Sequence, residues 1–579
     1  MRVAQVRGVL LKAVPIVVLL AAVACGSAAA PTPTSTKPPL APTATATTAP
    51  APAVATPTPT RAPVVQATPT PTIAPPPATP TAAAKRGGEF VLAISGRPAG
   101  LDANVNVGGN DLIVHGPMYS SLLVFDKKGN IEPELATSWD VVDGGKRLVF
   151  HLAPNIKFSD GSPLTAEDVV WSIEKIMGKV EGHARSGRVG VLGDYIASMQ
   201  AVDAQTVALQ LNFASPMVPQ LLAQNFAGIT KKGVTAATLK QTGLGPGAFK
   251  YKEEVTGSHL VAEKNPYFFK PGLPYLDTIK YQIITDQTAR FAAVVTKKVD
   301  FYREISTAPG PDLQKSLREA KGVLFLTQPA DSIRIVITNM TIDTPLKDPR
   351  VRKAVDLVMD RQGWSDVVNY GLGNQGLLWP ADYPKWGRPQ AEVLKRPGFD
   401  NATKAKDIAD AKALMSAAGF SNGFDIEWNA SGASAQTDWV LLQLVQIGIR
   451  GKVKIHSSAQ SDLIMIEHKY TFSTDGYTLM SGDPDEKFIG YLKTGGSRNN
   501  AGYSNPQIDS LIDQQSRELD PTKRLQLVRQ IEDIVLEERP WIVLGFVPKW
   551  VINRDYVHGM EPGFSYYNDN RFDKVWVDK

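Results

Sequence analysis

Residues 133–177 read PELATSWDVVDGGKRLVFHLAPNIKFSDGSPLTAEDVVWSIEKIM, and this stretch decides the fold. Leu148, Phe150 and Leu152 alternate with Val149 and His151, the period of two that marks a half-buried strand. Asp143-Gly144-Gly145 supplies the turn into that strand, and Ser159-Asp160-Gly161 supplies another after it. Thr165 stands three residues before Asp168, the spacing of a reciprocal helix cap, and Val169, Ile173, Ile176 and Met177 then fall on one helical face. The unit is strand, turn, helix, and its apolar residues read as core. It contains no nucleophile, metal cluster or phosphate cradle.

The same text, LATSW followed by RLVFHLAPNIKFSDGSPLTAEDVVWSIEK, resembles the signature of the family 5 extracellular solute-binding proteins, the peptide, nickel and oligosaccharide receptors of ABC importers. The resemblance implies an α/β, class II periplasmic-binding-protein-like fold: two lobes with an inserted subdomain, hinged around a ligand cleft. It implies a receptor and not an enzyme, with no catalytic residue, cofactor or metal.

Composition sets the frame outward from there. The 579 residues, 43% hydrophobic and 21% charged, suffice for two or three packed domains. Six cations, Arg2, Arg7, Lys12, Lys37, Arg61 and Lys85, precede Arg86 with no acid among them, so the formal charge of +5 becomes −1 from Arg86 onward. A near-neutral body without a basic stripe lacks the footprint of a nucleic-acid binder.

Residues 1–25 read as a targeting segment: a basic start, the apolar run Ala13 to Val23, then Ala22-Val23-Ala24-Cys25-Gly26. This resembles a lipobox, with Ala22 where Leu is usual, and implies lipid attachment at Cys25, the chain's single cysteine. A sole cysteine permits no internal disulfide, so the domains depend on their cores. Residues 26–86 collapse to Pro, Thr and Ala, a disordered tether that cannot bury a core. At about 3.1 Å per residue, its roughly 60 residues reach on the order of 190 Å when extended.

The folded body begins near Gly87 with a strand from Glu89 to Ile94. Gly243-Leu244-Gly245-Pro246-Gly247-Ala248-Phe249, Glu263-Lys264-Asn265-Pro266-Tyr267 and Leu273-Pro274-Tyr275-Leu276-Asp277 resemble successive family blocks, with Leu244 replacing Thr. A helix is expected from Asp286, feeding Val299-Asp300-Phe301. Asp348-Pro349, Asn505-Pro506 and Asp520-Pro521 each place a capping residue before a first-turn proline. Gly419 closes a helix carrying Ile408, Ala411, Met415 and Ala418, and Trp541 to Val547 forms a late strand. The resemblance runs in order from Gly87 to Val547. It implies lobe one at 87–337, with the inserted subdomain at about 116–239; lobe two at 338–540; and a return to lobe one at 541–579. The crossings would fall near Thr338-Asn339 and Arg539-Pro540.

Other motifs carry less. Gly371-Leu372-Gly373-Asn374-Gln375-Gly376 fits G-x-G-x-x-G, but a helix precedes it and Trp379-Pro380 follows, the wrong context for a dinucleotide. The seven histidines are scattered without metal-ligand spacing. Asp483-Pro484-Asp485-Glu486 could pair carboxylates for glycoside hydrolysis, or could be a solvated turn.

A solute cleft needs aromatic walls and a few oriented polar groups. Trp379 and Tyr383, with Trp364 and Trp386 near them, Trp428, Tyr503 and Tyr477 are candidate walls; Asn104 and Asn339 are candidate polar contacts. Asp483 occupies the place where the family's peptide receptors hold a ligand ammonium, and it could equally be a turn cap. No arginine between Gly451 and Arg498 is there to take a peptide carboxylate. The resemblance thus implies a monomeric, lipid-anchored receptor on the outer face of the cytoplasmic membrane, touching the membrane through its lipid alone and binding no nucleic acid. Its partners would be ABC permease subunits and a small solute, first a peptide, alternatively an oligosaccharide or cationic metal chelate. A glycoside or peptide hydrolase and a surface adhesion lipoprotein are the readings from other classes.

Overall fold

The computed structural model describes residues 84–579, apart from 107, 305–308, 328–331, 479 and 561, and the described residues belong to one compact unit, Thr79–Lys579. The targeting segment with Cys25, and the tether up to residue 83, lie outside the described residues.

The opening stretch forms the elements its pattern requires. Strand Ala136–Val142 pairs antiparallel with Arg147–Leu152, which pairs with Thr206–Leu211 and then Ile196–Ala201, giving a four-stranded sheet. Leu148, Phe150 and Leu152 point inward as the alternation demands. Helix Ala166–Ile176 closes over the same core with Val169, Ile173 and Ile176. Its start is fixed by Thr165, whose N–H and Oγ both donate to Asp168 Oδ2, at 2.8 and 3.1 Å.

A seven-stranded mixed sheet builds the next layer. Glu89–Ile94 runs parallel to Thr278–Ile283 on one side and Phe301–Glu304 on the other; His259–Lys264 and Phe249–Val255 extend the first edge, while Trp550–Arg554 and Val323–Thr327 extend the second. A five-stranded sheet follows the order Ile449–Ile455, Phe424–Ala430, Phe472–Thr478, Ser332–Thr338, Trp541–Val547. Asp286, Asp348, Asn505 and Asp520 cap the helices that follow them, each accepting a backbone N–H.

Sheet membership bears on where the two expected lobes are drawn. Ser332–Thr338, expected in lobe one up to residue 337, pairs on one side with Phe472–Thr478 and on the other with Trp541–Val547, also expected in lobe one, within the five-stranded sheet. Ile333, Ile335 and Ile337 enter one core cluster and Val336 the opposite one, so this strand is buried on both faces. Val323–Thr327 thus lies in one large sheet and Ser332–Thr338 in the other, as Trp550–Arg554 and Trp541–Val547 do. Thr338 ends one strand of the five-stranded sheet, and Arg539-Pro540 directly precedes another.

Candidate functional site

The loop and short helix at Met480–Lys487 meet residues distant in the chain, Tyr195 and Asn568 among them. Asp483 accepts the Asp485 N–H at 3.0 Å and so caps the turn Pro484–Lys487. Glu486 folds back to accept the Met480 and Ser481 N–H groups at 2.8 and 3.0 Å, fixing the loop from inside. Burial pushes its carboxyl above the ordinary range. Asn568 Nδ2 donates to Met480 O at 2.8 Å, and the Tyr195 hydroxyl lies 3.5 Å from Asp485 Oδ2.

Asp483 has a partner that the sequence reading did not give it. Arg524, on helix Pro521–Glu538, donates from Nη1 to Oδ2 and from Nη2 to Oδ1, both at 2.7 Å, and both side chains are buried. The carboxylate expected to meet a ligand ammonium is thus neutralised within the protein, and the acidic turn is buried where a solvated one was an open reading. Arg524 was legible in principle. Arg524, Val528, Ile531 and Val535 fall at helical spacing on one buried stripe, and a guanidinium there demands a carboxylate.

Asp485 lies beside this pair. Ser516 Oγ donates to its Oδ1 at 2.5 Å, Gln515 Nε2 donates to the same oxygen, and Arg524 Nη2 is 4.0 Å away. Burial, then the adjacent Asp483 charge, pushes its carboxyl up to about 6. Lys487 is fully buried, its Nζ 3.9 Å from the Trp379 ring centroid and 5.4 Å from that of Tyr477, and burial lowers its ammonium to about 7.

The other candidates divide between cavity and core. Tyr383 and Asp483 line a cavity of about 430 Å³ together with Trp386 and Arg524; Lys128, Pro216 and Phe564 close it from the other side. Trp379 backs this region, packed against Trp386 and Phe488. Trp428 is completely buried and stacks on Phe472 at 5.6 Å with 7° between ring planes, so it is core of the five-stranded sheet, as Trp364 is. Tyr503 is buried and donates to Glu538 Oε2 at 2.6 Å. Asn339 spends its amide on the carbonyls of His468 and Tyr470, both at 2.7 Å, and its oxygen on Thr341. Asn104 donates to Phe226 O and Gly228 O and accepts from Lys175 Nζ at 2.8 Å, which also reaches Asp102 at 2.8 Å. These two asparagines hold the framework; neither lines the cavity. Among the described residues no group of three or more His, Cys, Asp or Glu is arranged to hold a metal ion.

Comparison with known proteins gives the same frame. A family model described as bacterial extracellular solute-binding proteins, family 5, middle region, matches residues 130–499. The probable deoxycholate-binding periplasmic protein YgiS of Escherichia coli is 25% identical over 476 residues, covering 76% of this chain and 85% of that protein. The glutathione-binding protein GsiB of E. coli is 25% identical over 448 residues, covering 74% and 82%. The solved periplasmic binding protein DppA of Helicobacter pylori, in complex with the peptide STSA, superimposes with a TM-score of 0.70 at 21% identity, covering 86% of this chain and 99% of that one.

Proposed function

The chain belongs to the family 5 bacterial extracellular solute-binding proteins, and from that premise we propose that it is the receptor of an ABC importer, capturing a small organic solute between two lobes and handing it to a permease. The observation that carries this reading is the cavity of about 430 Å³, walled from one side by Lys128, Pro216 and Phe564 and from the other by Tyr383, Trp386 and Leu525. A pocket of that size suits a small molecule. Its lining comes from stretches far apart in the chain, so closing them together encloses a solute and opening them releases it. Direction then comes from a shift between open and closed populations, without chemistry performed by the receptor.

The lobes in this reading follow the sheets, one built on the seven-stranded sheet with its four-stranded attachment, the other on the five-stranded sheet. Peptide is the first solute class to test, in keeping with the peptide bound to DppA and the glutathione named for GsiB; oligosaccharide and metal chelate are the further classes. Lipidation at Cys25 would anchor a monomer to the outer face of the cytoplasmic membrane, with residues 26–86 as spacer, as the lipobox resemblance suggests. Titration of solute-stripped protein against these three classes tests the reading: one-site binding with a change in tryptophan fluorescence is expected from one of them, and silence across all three would sink it.

A further inference from the structure

The cavity's lining narrows the solute. Its walls are apolar: Pro216 and Phe564 on one side, Tyr383, Trp386, Leu519 and Leu525 on the other. Five charged side chains also line it, namely Lys128, Lys385, Asp483, Glu518 and Arg524. Asp483 and Arg524 cancel through their two-point pair, and a ligand ammonium could claim that carboxylate only by stripping a buried guanidinium of its partner, which is costly. Glu518 is engaged with the Asp520 N–H at 2.8 Å. The remaining charges are Lys128 and Lys385, both exposed, so the lining carries one net positive charge.

We propose that this receptor selects an amphipathic monoanion: an apolar, ring-containing body with one carboxylate and no ammonium group. The body fills the Tyr383, Trp386, Leu525 and Phe564 walls, and the carboxylate faces Lys128 and Lys385. This rests on the receptor reading and goes further by excluding zwitterionic and cationic solutes, free dipeptides among them. The volume of about 430 Å³ has room for a bicyclic ring with a short acid arm.

Three probes sharing one ring decide the matter: 1-naphthaleneacetate, its neutral amide, and zwitterionic 3-(1-naphthyl)alanine, titrated calorimetrically into the full-length, solute-stripped protein. The acid should bind at least about tenfold more tightly than either of the others, a difference of about 1.4 kcal/mol. Replacing Lys128→Gln and Lys385→Gln together, both exposed, should bring acid and amide within about threefold, while Trp386→Ala should weaken both alike. Tighter binding of the zwitterion, or an acid preference that survives the double lysine replacement, would overturn the proposal. If no probe binds but a co-purified solute is released and rebinds, the class falls and the receptor stands; if no solute is carried at all, both fall.

Discussion

Arg524 grips Asp483 at two points of 2.7 Å inside the protein, joining the start of a long helix to the Met480–Lys487 loop. A buried pair of this kind contributes little net stability when intact, because desolvation offsets attraction, but removing one member strands the other. Arg524→Met should therefore destabilise the protein by about 3–5 kcal/mol. The double replacement Asp483→Leu with Arg524→Met should recover much of that loss. Chemical denaturation of the three proteins checks the cycle; additive losses would contradict it.

Asp485 gives a pH signature with a definite sign. Its native carboxyl sits at about 6, raised from 3.8 by burial and by Asp483. The folded state thus holds a proton that the unfolded chain releases near pH 4, so this group makes stability fall as pH rises from about 4 to about 6, then level off. The size is on the order of 3 kcal/mol. Asp485→Asn should remove that falling limb, and the difference between variant and parent unfolding energies across pH 4–7 should trace it. A constant difference would contradict the assignment.

Lys487 behaves in the opposite sense. Burial lowers its ammonium from 10.5 to about 7, so the unfolded chain binds the extra proton between those values and stability rises with pH across that window. Lys487→Met should abolish the rise. A denaturation series from pH 7 to 10.5 reads it, and an unchanged slope in the variant would reassign the effect.

Much of this was legible in the sequence. The alternation at Leu148, Phe150 and Leu152, the Thr165–Asp168 cap and the Asp-Pro and Asn-Pro helix starts each rest on neighbours within a few residues, and each forms as read. Sheet membership was not. Ile333 to Ile337 looks the same whether it closes one sheet or centres another, because the deciding partners, Phe472–Thr478 and Trp541–Val547, lie more than 130 and 200 residues away. Side-chain partners were equally hidden. Lys175, inside the opening helix, is fully buried against Asp102 and Asn104, about 70 residues earlier. A signal existed: Asp168, Ser172 and Lys175 share the helix's buried side, where an unpaired ammonium could not rest.

Trp428 separates core from cleft. Sequence places it at a strand end among candidate walls, yet it is buried against Phe472. Trp428→Ala should cost about 3–5 kcal/mol of stability and leave solute affinity unchanged in the folded fraction, whereas Trp386→Ala should weaken binding with a smaller stability loss. Loss of affinity in a stably folded Trp428→Ala protein would return that residue to the site.

The receptor account stands on two bodies closing over a solute. Small-angle X-ray scattering of the same protein, first stripped of solute by unfolding and refolding and then saturated with it, measures that closure directly. The account predicts a smaller radius of gyration in the saturated protein, reversed when the solute is removed again. Superimposable scattering curves with and without a solute shown by titration to be bound would contradict it.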